Sequence, residues 1–190
     1  MQALPCIELN NEERDILKSL AFQVIKSGTE NNKCLLPSAP ISANLKQIAA
    51  SFVTVYISDE LRGCIGAIEA SEPLWLDVCR HSYSSAFEDN RFLPITVSEL
   101  PQLSISISVL SAMVPITNQG EQALLAQLNV GVDGLLLKQG SRSAVFLPSV
   151  WDMLTNAESF LAALKHKGGW PDNYWSENIE LFIFHSSVIK

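Results

Sequence analysis

The chain has 190 residues, 47% of them hydrophobic, with 20 Asp and Glu against 13 Lys and Arg and a formal net charge of -7. That is enough for one domain, or one core with two lobes. The acidic balance and scattered cations argue against nucleic-acid binding, which needs clustered Lys or Arg. No apolar run reaches the roughly 20 residues that span a bilayer.

The segment Met1 to Leu9 lacks the cationic start and apolar run of a signal peptide, so a cytoplasmic location is expected. Cys6, Cys34, Cys64 and Cys79 show no CxxC pair and no regular spacing. Neither a zinc knuckle nor a disulfide frame is indicated, and free thiols are expected.

Asn10 or Asn11 can cap a first helix, with Glu12 and Glu13 at the positive end of its dipole and Gly28 placed to end it. Ile16, Leu17, Leu20, Ala21 and Val24 share one face at helical spacing. A β-rich run, Phe52 to Ile57, then meets Leu61 to Glu69 across Ser58-Asp59-Glu60, which reads as a hairpin. A three-residue turn opposes Ile57 to Leu61, Tyr56 to Arg62, Thr54 to Cys64 and Phe52 to Gly66. Val53, Val55, Ile57, Leu61, Gly63 and Ile65 then form the core face, while Thr54, Tyr56, Arg62 and Cys64 share the other.

Pro73 to Glu88 reads as a helix with Trp75, Val78, Cys79, Ser82 and Ala86 inward and Asp77, His81, Ser84 and Glu88 toward solvent. Leu103 to Leu110 alternates serine with aliphatic residues, the mark of a strand with one buried face. A second round follows. Asn118 with Glu121 resembles a capping box, Leu135 to Lys138 and Ser143 to Leu147 read as strands joined around Gly140, and Ser149 and Asp152 open a helical stretch. Asn156 caps another helix that Gly168 follows, and Glu180 to Ile189 closes the chain as one strand. Hairpin, helix and strand thus occur twice, before and after about residue 111. The expected fold is α+β, with mainly antiparallel strands, flanking helices and two repeated halves, about 1–111 and 112–190, in a single domain.

The most informative run is Leu61-Arg62-Gly63-Cys64-Ile65-Gly66. Two glycines inside a strand cost backbone entropy and mark a bulge or a close backbone approach. Here a ring or backbone lying against the hairpin is the plainer explanation. Cys64 is either a reactive thiol, favoured by a cationic Arg62 two residues away on the same face, or a small buried hydrophobe with Arg62 anchoring Asp89 or Glu69. Asp89 and Arg91 either clamp a carboxylate or phosphate or fix the exit from the preceding helix. Lys167 is a charge reaching a cleft, or a cation at the negative end of its helix. His81, His166 and His185 have no second ligand two, three or four residues further on, so no metal site is expected. Trp170 and Trp175 are expected to close a small core beneath their loop.

These motifs occur in the order of the AMMECR1 domain family, which the sequence resembles along most of its length. The blocks are Phe52-Val53-Thr54; Leu61 through Gly66; Ala86-Phe87 with Asp89, Arg91, Phe92 and Pro94; Ser108-Val109-Leu110-Ser111; Gly131 with Asp133-Gly134; Leu147-Pro148 with Val150; Phe160-Leu161 with Leu164 and Lys167; and Trp175. Asn90 stands where proline is usual, and Gly168-Gly169-Trp170 where Ala-Gly-Leu is typical. Within the family the likeness points to the prokaryotic AmmeMemoRadiSam system protein A group. The resemblance implies an α+β domain of two repeated halves that travels with a Memo-like protein and a radical S-adenosylmethionine protein. It implies no reaction and no cofactor. Two functions are therefore expected as alternatives. One is a component of a redox-linked modification pathway, with Cys64 as nucleophile or acceptor, Arg62 beside it, and Arg91, Asp89, Thr54 and Lys167 toward a substrate. The other is a non-catalytic subunit presenting a substrate to those partners.

Overall fold

The computed structural model describes residues 4–190, and these divide into two compact units. The larger comprises Cys6–Leu110 and Ser187–Lys190; the smaller comprises Ser111–Ser186 with residues 4–5.

The larger unit begins with α1 (Asn11–Asn31), opened by a reciprocal capping box in which the Asn10 side chain accepts from the Glu13 amide at 2.9 Å and Glu13 accepts from the Asn10 amide at 3.0 Å. The helix runs past Gly28, where the sequence placed its end. Gly28 is buried because Phe87 occupies the space a side chain would need, 2.3 Å from an ideal Cβ. Asn32, in the left-handed region at φ 52°, closes the helix instead.

Strands β1 (Ser51–Ile57) and β2 (Glu60–Gly66) form the hairpin, α2 (Leu74–Phe87) packs on it, and β3 (Leu103–Leu110) pairs with the other side of β1. With β8 (Ser186–Ile189) they make one sheet in the order β2-β1-β3-β8. Its core holds Leu17, Ile25, Val53, Val55, Val78, Ile107 and Val109.

The hairpin turn has two residues, not three. Ser58 and Asp59 both take positive φ, so Ile57 pairs with Glu60 and Tyr56 with Leu61, the arrangement that matches strand twist. A bulge between Val55 and Tyr56 then restores Val55 with Gly63, Thr54 with Cys64 and Phe52 with Gly66. Leu61 leaves the expected core face and is exposed. In α2, Asp77 is buried rather than solvated, accepting from Ser51 Oγ at 2.6 Å and lying 3.1 Å from His81 Nδ1.

The smaller unit contains β4 (Val114–Ile116), α3 (Glu121–Gln127), β5 (Gly134–Gln139), β6 (Arg142–Phe146), α4 (Ala157–Lys167) and β7 (Glu180–Phe184), with the sheet order β4-β7-β5-β6. Trp151 stacks on Phe160 in its core, and Trp170 is buried there too. Gly120, not Asn118, precedes α3. The Asn118 side chain instead ties the loop, donating to the Ser176 and Ile179 carbonyls, both at 2.9 Å. The expected last strand is two strands in different sheets, because His185 bonds Ser111 through its own amide and carbonyl and so leaves the ladder.

The halves use one topology twice. In each, the first hairpin strand lies between its partner and the strand that follows the helix, giving β2-β1-β3 and β6-β5-β7, all antiparallel.

Candidate functional site

The glycines of the hairpin are there for packing. A Cβ on Gly63 would sit 1.8 Å from the Ser85 carbonyl oxygen of α2, and one on Gly66 would meet the Phe52 ring and the Ser51 carbonyl at 2.4 Å. Because α2 comes so close, Ser85 Oγ reaches across the hairpin, donating to the Val53 carbonyl at 2.8 Å and accepting from the Ile65 amide at 2.9 Å. The strand that carries Cys64 is therefore packed on the helix at Gly63 and hydrogen-bonded to it at Ile65.

Cys64 is half-buried, and each of its polar groups has a partner. Its amide donates to Asp89 Oδ2 at 2.9 Å, its carbonyl accepts from Arg91 Nη2 at 3.2 Å, and Sγ accepts from Thr54 Oγ1 at 3.3 Å. Thr54 in turn stands opposite Ser106 of β3, so Cys64, Thr54 and Ser106 form one polar row across three strands.

Asp89 follows the end of α2, and its side chain is 5% exposed. Besides the Cys64 amide it accepts from the Arg91 amide at 3.2 Å, Arg91 Nε at 2.9 Å and Arg91 Nη2 at 2.6 Å. The Arg91 side chain, helped by the two amides, holds the Asp89 carboxyl well below the usual range despite its burial. Arg91 is pushed up, first by its hydrogen bond to Asp89. The cation bonded to the Cys64 main chain is thus Arg91. Its guanidinium also lies 5.3 Å from the centre of the Phe92 ring.

Arg62 is bonded elsewhere. It pairs with Glu99 and donates through Nη2 to the Leu93 carbonyl at 3.0 Å. Burial pushes the Glu99 carboxyl up, but the Thr96 amide, the Thr96 hydroxyl and Arg62 together outweigh it and leave the group lowered. Arg62, Arg91, Phe92, Leu93, Pro94, Thr96 and Glu99 line a cleft of about 420 Å³. The structure therefore gathers Thr54, Cys64, Asp89 and Arg91 into one bonded cluster, with Arg62 joining Arg91 in the adjoining cleft. Lys167 lies in the smaller unit, where Nζ donates to the Val145 carbonyl at 2.9 Å and sits 5.2 Å from the Phe146 ring centre.

Sequence reasoning missed Ser85 and Glu99. The Thr96-x-x-Glu99 capping box was legible, but that its carboxylate also takes Arg62 depends on tertiary approach. Of the other thiols, burial pushes Cys79 up to about 12 and also raises Cys34. Among the described residues no three His, Cys, Asp or Glu side chains form a metal-holding group, and no helix is long and apolar enough to cross a membrane.

A latched hairpin bearing one cysteine, in an α+β chain built on a repeated three-strand unit, defines the class to which these features point. The AMMECR1 family model matches residues 18–189, and the chain belongs to that family. It is 30% identical to Protein MK0488 of Methanopyrus kandleri, over 96% of this chain and 90% of that protein. Protein MJ0810 of Methanocaldococcus jannaschii is 29% identical over 96% of this chain and 92% of its own length. The crystal structure of the uncharacterized protein PH0010 from Pyrococcus horikoshii matches at a TM-score of 0.85 and 28% identity, covering 95% of this chain and 92% of that one.

Proposed function

We propose that this AMMECR1-domain chain is a cytoplasmic component of a redox-linked modification pathway, of the AmmeMemoRadiSam system protein A group, with Cys64 as its reactive thiol. Memo-like and radical S-adenosylmethionine proteins are its partners in this reading. The observation that carries it is the setting of Sγ: half-buried rather than sealed, bonded by a hydroxyl, on a main chain pinned by Asp89 and Arg91. In the step envisaged, the thiol proton passes to water and Sγ bonds an electrophilic carbon or sulfur of the substrate. The leaving group departs with the bonding pair.

The test is product formation in the reconstituted three-protein system with Cys64→Ser. Loss of turnover with the fold retained supports the reading, and undiminished turnover removes the nucleophile from it.

A second reading, a non-catalytic subunit presenting a substrate, draws on a different observation. Both guanidiniums are already paired with carboxylates, Arg91 with Asp89 and Arg62 with Glu99, as architecture would require. Site-resolved alkylation of the native protein separates the two. Labelling of Cys64 only on denaturation, like that expected of buried Cys79, favours the second, while ready labelling of the native chain favours the first.

A further inference from the structure

We propose that the cleft beside the Cys64 strand binds an oxyanion, a carboxylate or phosphate carried on a compact apolar body; this names the substrate class of the Cys64 site and rests on reading that site as one that receives a substrate. Asp89 stands beside the cleft and Glu99 lines it, and both carboxylates are largely committed to protein donors. Asp89 already accepts four hydrogen bonds and is buried. Glu99 accepts from the Thr96 amide and hydroxyl, both at 2.8 Å, and from Arg62. One acceptor site of Glu99 remains, so the free hydrogen-bonding capacity of the charged groups is mainly on the donor side. Arg91 is bonded through Nε and Nη2 only, and Arg62 through Nη1 and Nη2 only. Among the described residues this leaves Arg91 Nη1 and Arg62 Nε without a protein acceptor.

Both guanidiniums are held before a ligand arrives, Arg91 by Asp89 and the Phe92 ring and Arg62 by Glu99 and the Leu93 carbonyl. Such fixed forks suit planar or tetrahedral oxyanions and lose little further side-chain freedom on binding. Besides Thr96 and Glu99, which bond each other, the remaining walls are apolar, Phe92, Leu93 and Pro94, and Leu93 is 81% exposed. A purely polar anion would leave those walls unused. Arg91 also bonds the Cys64 carbonyl, so an anion held there lies beside the residue that carries the sulfur.

The experiment follows the arginine side-chain Nε–H resonances of the intact chain while sodium phosphate or sodium butyrate is added at constant ionic strength. A saturable shift of Arg91 is expected with at least one probe. Butyrate binding more tightly identifies a carboxylate with an apolar body, and phosphate binding more tightly identifies a phosphate source. Leu93→Asp places a negative charge on an exposed wall residue that folding does not need, and should weaken binding about tenfold. Arg91→Gln, followed through Arg62 Nε–H, should show no saturable shift. A shift that grows linearly without saturating for both probes, or affinity unchanged in Leu93→Asp, overturns the pocket. Cys64→Ser should leave the saturable shift intact. An inert Cys64 beside a saturating Arg91 overturns the thiol reading and leaves the pocket standing; a reactive Cys64 with no saturation overturns the pocket alone.

Discussion

Gly63→Ala puts the hairpin latch to a direct test. The added methyl would lie 1.8 Å from the Ser85 carbonyl oxygen and 2.8 Å from its carbon, where ordinary contact begins near 3.4 Å. Both obstacles are backbone, one element a strand and the other a helix, so no side-chain rotation relieves them. Overpacking of this kind costs typically ~1–3 kcal/mol. If α2 backs away, Ser85 Oγ also gives up its bonds to the Val53 carbonyl and the Ile65 amide, each contributing about 1 kcal/mol net. Together these give a destabilisation of about 3–5 kcal/mol, a large share of the 5–15 kcal/mol typical of folded domains. In urea, with a slope near the middle of the usual range, about 2 kcal/mol per molar, the midpoint should fall by roughly 1.5–2.5 M. Ser85→Ala, which removes the two hydroxyl bonds and adds no bulk, should cost about half as much. A Gly63→Ala protein within ~0.5 kcal/mol of wild type would show that helix and strand are not held as described, and the packing explanation of the motif's first glycine would fail.

Three other outcomes are expected. Asp89 titrates lower in the folded chain than in the unfolded one, so its contribution to stability is fully present above the unfolded value of about 3.9 and is lost as pH falls through the folded value. Denaturation midpoints measured below about pH 4 should therefore decline more steeply for wild type than for Asp89→Asn, and parallel slopes would contradict the assigned hydrogen bonds. In the smaller unit, Lys165 is 1% exposed, pairs with Glu121 at 2.8 Å and donates to the Asp172 carbonyl. Lys165→Ala should cost about 2–3 kcal/mol, the range for hydrogen bonds to charged groups, with Glu121 open enough to regain water; a chemical melt decides it. Thr54→Val keeps the shape of a strand residue and removes the donor to sulfur, so alkylation of Cys64 by a neutral reagent should slow about threefold or more with little change in melting. An unchanged rate would mean the hydroxyl does not influence the thiol.

The elements most legible in the sequence are those whose cause is local. Capping at Asn10 and Asn156, the alternation along Leu103–Leu110 and the hairpin around Gly140 all rest on residues close in the chain. What was misread depends on distant partners. Gly28 is a helix-stop residue by type, yet Phe87 from α2 makes it a packing position. Asp77 sits at a solvated helical phase, yet Ser51 of β1 supplies a buried hydroxyl. Neither Ser58 nor Asp59 is a glycine or asparagine, so nothing in their types marked both for positive φ or foretold the bulge after them. At the candidate site, the Thr54–Cys64 pairing expected from a three-residue turn holds because the bulge offsets the shorter turn. The exchange of partners, Arg62 taken by Glu99 and Cys64 served by Arg91, required the segment after α2 to fold back on β2.

The repeated topology separates scaffold from chemistry. Counted back from each two-residue turn, Leu136 of β5 stands where Thr54 stands in β1. The row through Thr54 is Cys64, Thr54 and Ser106, whereas the row through Leu136 is Val145, Leu136 and Phe182. One ladder thus carries either a polar row or an aliphatic and aromatic one, so backbone pairing does not require the polar side chains at these positions. Hydroxyl and thiol groups add little to strand stability compared with branched aliphatic residues, and the sheet of the smaller unit shows that the frame accepts the latter. A stability account therefore explains Gly63, Gly66 and Ser85 but leaves Thr54, Cys64 and Ser106 unexplained. What they share is a half-buried position in one row of a sheet face, and at the Cys64 end of that row the main chain takes a guanidinium fixed in place by a buried carboxylate.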